Sequence, residues 1–130
     1  MINKTIEEIL TEATLAGGAT IPTTPGGEEC DPIDMTHVGQ FALTLSAVFH
    51  VNAVEGLCAH VRTSPTGETG DWDTIDYTSF TLPCNAGATE QVTVPIWCDP
   101  LYAMAMIVNE GTRPATIIRL TRTYQEAEPT

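Results

Sequence analysis

Residues 40–51 read QFALTLSAVFHV, and their spacing decides the fold class. Phe41, Leu43, Leu45, Ala47, Phe49 and Val51 occupy every second position, alternating with mostly smaller or polar residues. A period of two places all six on one face of an extended chain, as in a strand with one buried side. The segments that follow repeat this logic. In GLCAHVRTS, residues 56–64, Leu57, Ala59 and Val61 alternate with Cys58, His60 and Arg62, and NAVEG before it supplies a hairpin-type turn. YTSFTLPC (77–84) and EQVTVPIW (90–97) continue the series, with Val92, Val94 and Ile96 on one face. Pro95 lacks an amide proton, so its strand is expected at an edge or with a bulge.

LYAMAMIVN (101–109) is more continuously apolar, and Met104 and Met106 share a face with Tyr102 and Val108 as core-filling residues. ATIIRLTRTY (115–124) sets Ile118, Leu120 and Tyr124 against Arg119 and Thr121, and NEGTRP provides the turn between these two segments. Short strands joined by Gly- and Pro-containing turns, with no helices alternating between them, predict an antiparallel β-sandwich or jelly roll and exclude a parallel α/β fold.

The chain before this pattern differs. In TIEEILTEATL, residues 5–15, Ile6, Ile9, Leu10 and Ala13 recur at helical spacing, and Thr5 with Glu8 matches a capping box. A short N-terminal helix is therefore predicted, and at about three turns it needs a surface to pack against, on its own domain or on a neighbour. AGGATIPTTPGGEECDPIDM, residues 16–35, has little periodicity and many Gly and Pro, which predicts an extended arm or linker. The expected division is a helix and arm over 1–35, an all-β sandwich over 36–125 and a tail over 126–130.

At 130 residues the chain fits one domain. Seventeen acids against five basic residues give a formal charge of -12, and Lys4 is the only lysine. Nucleic acid binding requires clustered cations, so it is not expected, and anionic membranes are disfavoured by the same sign. No apolar run reaches the roughly 20 residues of a membrane-spanning helix, and the acidic start lacks the pattern of a signal peptide. Cys30, Cys58, Cys84 and Cys98 contain no close pair of the kind that announces a structural zinc site, and spacing leaves their disulfide state open.

SPTGETGDWDTIDYTSF, residues 64–80, is the stretch that most resembles a site. Glu68, Asp71, Asp73 and Asp76 are hard oxygen donors suited to Ca²⁺, but their spacing departs from the EF-hand pattern and a solvated acidic loop is the simpler explanation. Trp72 among them either staples the loop inward or offers an outward contact face. Cys58 and His60 point to one side of their strand, a start for a metal site or a nucleophile and base, but a third partner cannot be found from spacing. No catalytic fingerprint occurs, so an enzyme is not expected.

Residues 36–124 resemble small β-sandwich structural proteins of tailed phages and prophages. The likeness rests on Arg62 ending a strand, the turn at Ser64, Pro65 and Gly67, the acidic segment with Asp73 and Thr74, and a tyrosine-containing strand that runs into Asn109. It implies a non-enzymatic virion component, of decoration, minor capsid, neck or tail type, assembled in the host cytoplasm. With it a homo-oligomer is expected, with other virion proteins as partners; the contact residues expected from the residue patterns themselves are Ile6, Ile9, Leu10 and Ala13 of the N-terminal helix, and Trp72 of the acidic loop. The alternative is a carbohydrate-binding sandwich, calcium-dependent in one form, with Trp72 and Trp97 as stacking faces.

Overall fold

The computed structural model describes residues 4–23, 30, 32–34, 40–68, 70–97 and 102–125. Nine strands run through them: β1 (Lys4–Leu15), β2 (Thr20–Ile21), β3 (Ile33–Asp34), β4 (Gln40–Phe49), β5 (Leu57–Ser64), β6 (Thr78–Leu82), β7 (Thr89–Trp97), β8 (Tyr102–Asn109) and β9 (Ala115–Gln125). Cys98 and the expected tail at 126–130 lie outside the described residues. The strands form two antiparallel sheets, one ordered β1-β9-β4-β7 and the other β2-β8-β5-β6 with β3 also on β8. Because β5 fills one edge of β8 from Tyr102 to Asn109, β2 and β3 share the other edge and act as one interrupted strand. Counted so, the sandwich has the four-on-four layout of a jelly roll.

The core lies between the sheets, where Leu43, Leu45, Ile118 and Leu120 meet Leu57, Ala59, Val61 and Ile107, all of them buried. The period-two segments thus fold as their patterns require, except that β4 ends at Phe49 and Val51, expected on its buried face, sits in the following turn at 71% exposure. Met104 and Met106 are also buried, but on the face of β8 opposite Ala103, Ala105 and Ile107, so this strand is covered on both sides.

The N-terminal helix is not formed, and the reason is a bulge. Residues 4–15 pair with β9 from Lys4 opposite Gln125 to Leu15 opposite Ala115, and a register shift between Glu8 and Leu10 leaves Ile9 as the extra residue. A bulge lets two consecutive side chains face inward. Ile9 and Leu10 are each 3% exposed, whereas Ile6 is 70% exposed and Ala13 also faces solvent. The helical spacing was therefore the signature of a bulged strand, and a three-turn helix that is marginal alone yields to a full ladder of strand pairing. With β1, β2 and β3 in the sheets, the sandwich begins at Lys4 instead of at 36.

A second bulge in β9, opposite β4 between Ser46 and Val48, turns Ile117 outward at φ 51 and 69% exposure while Ile118 stays inside. Arg122 faces inward beside Tyr124, its guanidinium 4.1 Å from the ring centroid, and its Nη2 donates to Glu7 Oε2 at 2.9 Å. Four connections gather at one end of the sandwich: Gly18 N donates to Asn109 O, Gly87 N to His50 O and Glu110 N to Gly56 O. Asn109 ties this end together, its buried Nδ2 donating to Leu15 O and Arg113 O while Oδ1 accepts from Gly111 N. The long loop between β5 and β6 lies at the other end.

Candidate functional site

The loop after β5 is organised by its own side chains. Ser64 Oγ accepts from the amides of Thr66 and Gly67 at 3.3 and 3.0 Å, closing the Ser-Pro-Thr-Gly turn. Gly67 has φ +74, and a Cβ there would meet the Tyr102 ring at 3.0 Å, so the turn needs glycine on both counts. Thr66 Oγ1 donates to Asp71 Oδ2 at 2.7 Å and accepts from Glu68 N. Further on, the chain runs back along β5: Asp73 N donates to Thr63 O, Thr63 Oγ1 donates to Asp73 Oδ2, and Tyr77 N donates to Val61 O.

Each of the three aspartates thus has a separate protein partner, and with Glu68 they form no convergent set of metal donors among the described residues. The Ca²⁺ donors considered at Glu68, Asp71, Asp73 and Asp76 are not brought together among the described residues. Between the readings left open for Trp72, the indole lies inside, at 7% exposure, and staples the loop to the core. Its Nε1 is buried with no hydrogen-bond partner among the described residues. An orphaned buried donor costs about 1–3 kcal/mol. Trp72→Phe should remove that cost while losing some packing, so it is expected to change stability by less than ~1.5 kcal/mol, read as a urea midpoint shift at constant slope. The Trp97 side chain lies outside the described residues.

An open groove of about 350 Å³ follows the return of the loop, lined by Thr63, Asp73, Thr74, Ile75, Asp76 and Tyr77. Above β5, Asp76 forms the best-connected polar group of this region. Its Oδ2 lies 2.6 Å from His60 Nδ1 and its Oδ1 accepts from Arg62 Nε at 3.0 Å. Partial burial acts to raise the Asp76 carboxyl, but the hydrogen bonds and charges of His60 and Arg62 outweigh it and hold the group below the usual carboxylate range.

The third partner that spacing could not supply for Cys58 and His60 comes from β8. Glu110 follows the strand on the same outward parity as Val108, which pairs with Cys58. Donor atoms of Cys58, His60 and Glu110 all lie within 4.8 Å of one another. Burial pushes the Cys58 thiol up, and the Glu110 and Asp76 carboxylates push it further against a hydrogen bond with Thr81. Only the strand register could have pointed to Glu110, since 50 residues separate it from His60 in the chain. Cys58 and Cys84 are free thiols, and Cys30 is buried.

Of the five residues expected at a partner surface, Ile6 and Ala13 are exposed on β1, while Ile9, Leu10 and Trp72 belong to the core. No protein-family model matches the chain, and no curated protein matches it in sequence. Solved structures do match in shape. PRD1 vertex protein P5 superposes with a TM-score of 0.54 at 11% identity, covering 98% of this chain and 99% of that one. Murine APRIL gives 0.53 at 9% identity over 95% of this chain and 99% of that one. The CBM22-1-GH10 modules of the Clostridium thermocellum xylanase 10B give 0.52 at 8% identity, over 95% of this chain but 29% of that chain. At such identities the likeness establishes the jelly-roll fold and nothing finer. Among the described residues no helix is long and apolar enough to cross a membrane.

Proposed function

We propose that the protein is a non-enzymatic structural component of a phage-like particle that works by self-association. The observation that carries this reading is the outer face of the β1-β9-β4-β7 sheet. In a chain of formal charge -12, the described outward positions of its four strands carry only one ion pair, Glu8 with Arg119, at 3.4 Å. Apart from Lys4 at the start of β1, the rest is small or uncharged, with Ala42, Thr44 and Ser46 at its centre and the apolar Ile6 and Ile117 exposed at 70% and 69%. Interface cores are depleted of charge, and two strongly acidic copies repel least where they meet through a neutral face. The occupant of this face is therefore a second copy of the chain. The full-length likeness to a phage vertex protein supports the particle setting, as does the resemblance of residues 36–124 to phage sandwich proteins. The carbohydrate-binding alternative has the same fold behind it, but Trp72 is buried and offers no stacking face, and among the described residues the loop acids do not converge.

Sedimentation equilibrium of the full chain tests the reading. The wild type is expected to self-associate, and Ile6→Glu with Thr93→Glu to raise the dissociation constant at least tenfold, equivalent to about 1.4 kcal/mol, without loss of the far-ultraviolet β signal. A wild type that stays monomeric at high concentration, or an assembly indifferent to both charges, would overturn it.

A further inference from the structure

Cys58, His60, Glu110 and Asp76 form a cluster that the assembly reading leaves unused. Cys58 and His60 project from alternate positions of β5, Glu110 comes from the end of the adjacent β8, and their donor atoms lie within 4.8 Å of one another. Asp76 engages His60 Nδ1 at 2.6 Å, so Nε2 is the nitrogen left for a ligand. Arg62 holds the other oxygen of Asp76, fixing the carboxylate as an orienting group. Carboxylate, histidine and metal in series is the usual support of a metal-bound imidazole.

We propose that Cys58, His60 and Glu110 form a binding site for Zn²⁺ or a closely similar divalent ion, with Asp76 positioning His60. Sulfur, nitrogen and oxygen donors together suit zinc and do not suit Ca²⁺ or Mg²⁺, which take oxygen ligands. Bond lengths of 2.0–2.3 Å in a tetrahedral site imply donor separations of about 3.5 Å, so the three groups need to close by at most about 1.3 Å. Glu110 is exposed and its side chain has room to make that movement. Three protein donors leave a fourth position for water.

The rival chemistry for these residues is a cysteine nucleophile with His60 as its base. Charge decides against it. A reactive thiolate is favoured by neighbouring cations, whereas Cys58 faces the carboxylates of Glu110 and Asp76. The same carboxylates favour a dication. Bound there, the ion would join β5 to the β8–β9 turn and, through Asp76, to the return of the acidic loop. This inference is independent of self-association.

The test uses the full chain, reduced, stripped with chelator and titrated with Co²⁺ and then Zn²⁺. One equivalent of Co²⁺ is expected to give the visible bands of a four-coordinate ion and a near-ultraviolet thiolate-to-cobalt band, both bleached by Zn²⁺. Cys58→Ser should abolish the thiolate band and Cys84→Ser should keep it. Glu110→Gln, at an exposed position where folding is not at risk, should weaken Zn²⁺ binding at least tenfold. Asp76→Asn should weaken it by roughly 10–100-fold, as is usual for a group that orients a ligand. Absence of a thiolate band, its survival in Cys58→Ser, or Zn²⁺ affinity unmoved by Glu110→Gln would overturn the proposal.

Discussion

Removal of residues 1–35 is expected to unfold the protein instead of releasing an arm from an intact sandwich. The segment contributes β1 to one sheet and β2 and β3 to the other. Its Ile9, Leu10, Leu15, Ile21 and Ile33 are all at most 5% exposed. At roughly 1.5–3 kcal/mol for each such side chain, and allowing for a denatured state that already buries part of this surface, the loss is on the order of 10 kcal/mol. That equals a typical domain's whole stability of about 5–15 kcal/mol. Two further losses act in the same direction. Strand β9 would be stripped of its partner from Ala115 to Gln125 and become an exposed edge, prone to pairing with other chains. Arg122, buried beside Tyr124, would lose the Glu7 carboxylate and remain as an uncompensated charge. Circular dichroism and amide proton dispersion of the 36–130 fragment measure the outcome. A cooperative, dispersed fragment would show that the first three strands are dispensable.

This expectation reverses what the N-terminal pattern alone implies, and the reversal shows where sequence reading succeeds. Strands β4 and β5, and β9 from Ile118 onward, were legible because their inner faces repeat strictly, as Leu43 and Leu45 or Leu57, Ala59 and Val61 do. A bulge breaks that period by one residue, and in β1 the break put Ile9 beside Leu10, at the spacing a helix would use. Strands β2 and β3 have two residues each and carry no periodic signal at all. Their place is fixed by β8, which holds them through Ile107, Val108, Tyr102 and Ala103.

The sites follow a similar division. That Arg119 and Arg122 face opposite ways was readable from alternation, but their partners were not. Arg119 meets Glu8 at an exposed surface, where such a pair contributes about 0–1 kcal/mol, and Arg122 meets Glu7 at the margin of the core. The acidic loop looked like a site because its carboxylates are close in sequence. In the fold they separate to Thr66, Thr63 and the His60–Arg62 pair. Glu110, remote in sequence, is the carboxylate that joins Cys58 and His60. Proximity along a chain is a weak guide to convergence when adjacent residues of a strand point to opposite faces.

Gly56→Ala is expected to be severely damaging, at more than about 3 kcal/mol, beyond the usual range for an added methylene. A Cβ at this position would run into the carbonyl oxygen of Leu82 and lie 3.2 Å from the amide nitrogen of Cys84. Both are backbone atoms, so no change of rotamer relieves the contact. Making room requires the end of β6 to move away from β5 where Leu57 pairs with Leu82, and these side chains are 0% and 1% exposed. On the other flank, Leu57 pairs with Asn109 and Gly56 O accepts from Glu110 N at 3.1 Å, so β5 cannot retreat without straining that bond. Gly18→Ala provides the contrast. A Cβ at Gly18 meets nothing within 4 Å, and its φ of +75 is the sole difficulty, worth roughly 1–2 kcal/mol for a side chain in the left-handed region. Urea unfolding of both variants against the wild type separates steric exclusion from backbone preference. If Gly56→Ala cost no more than Gly18→Ala, the close approach of the three segments at this end of the sandwich would be wrong.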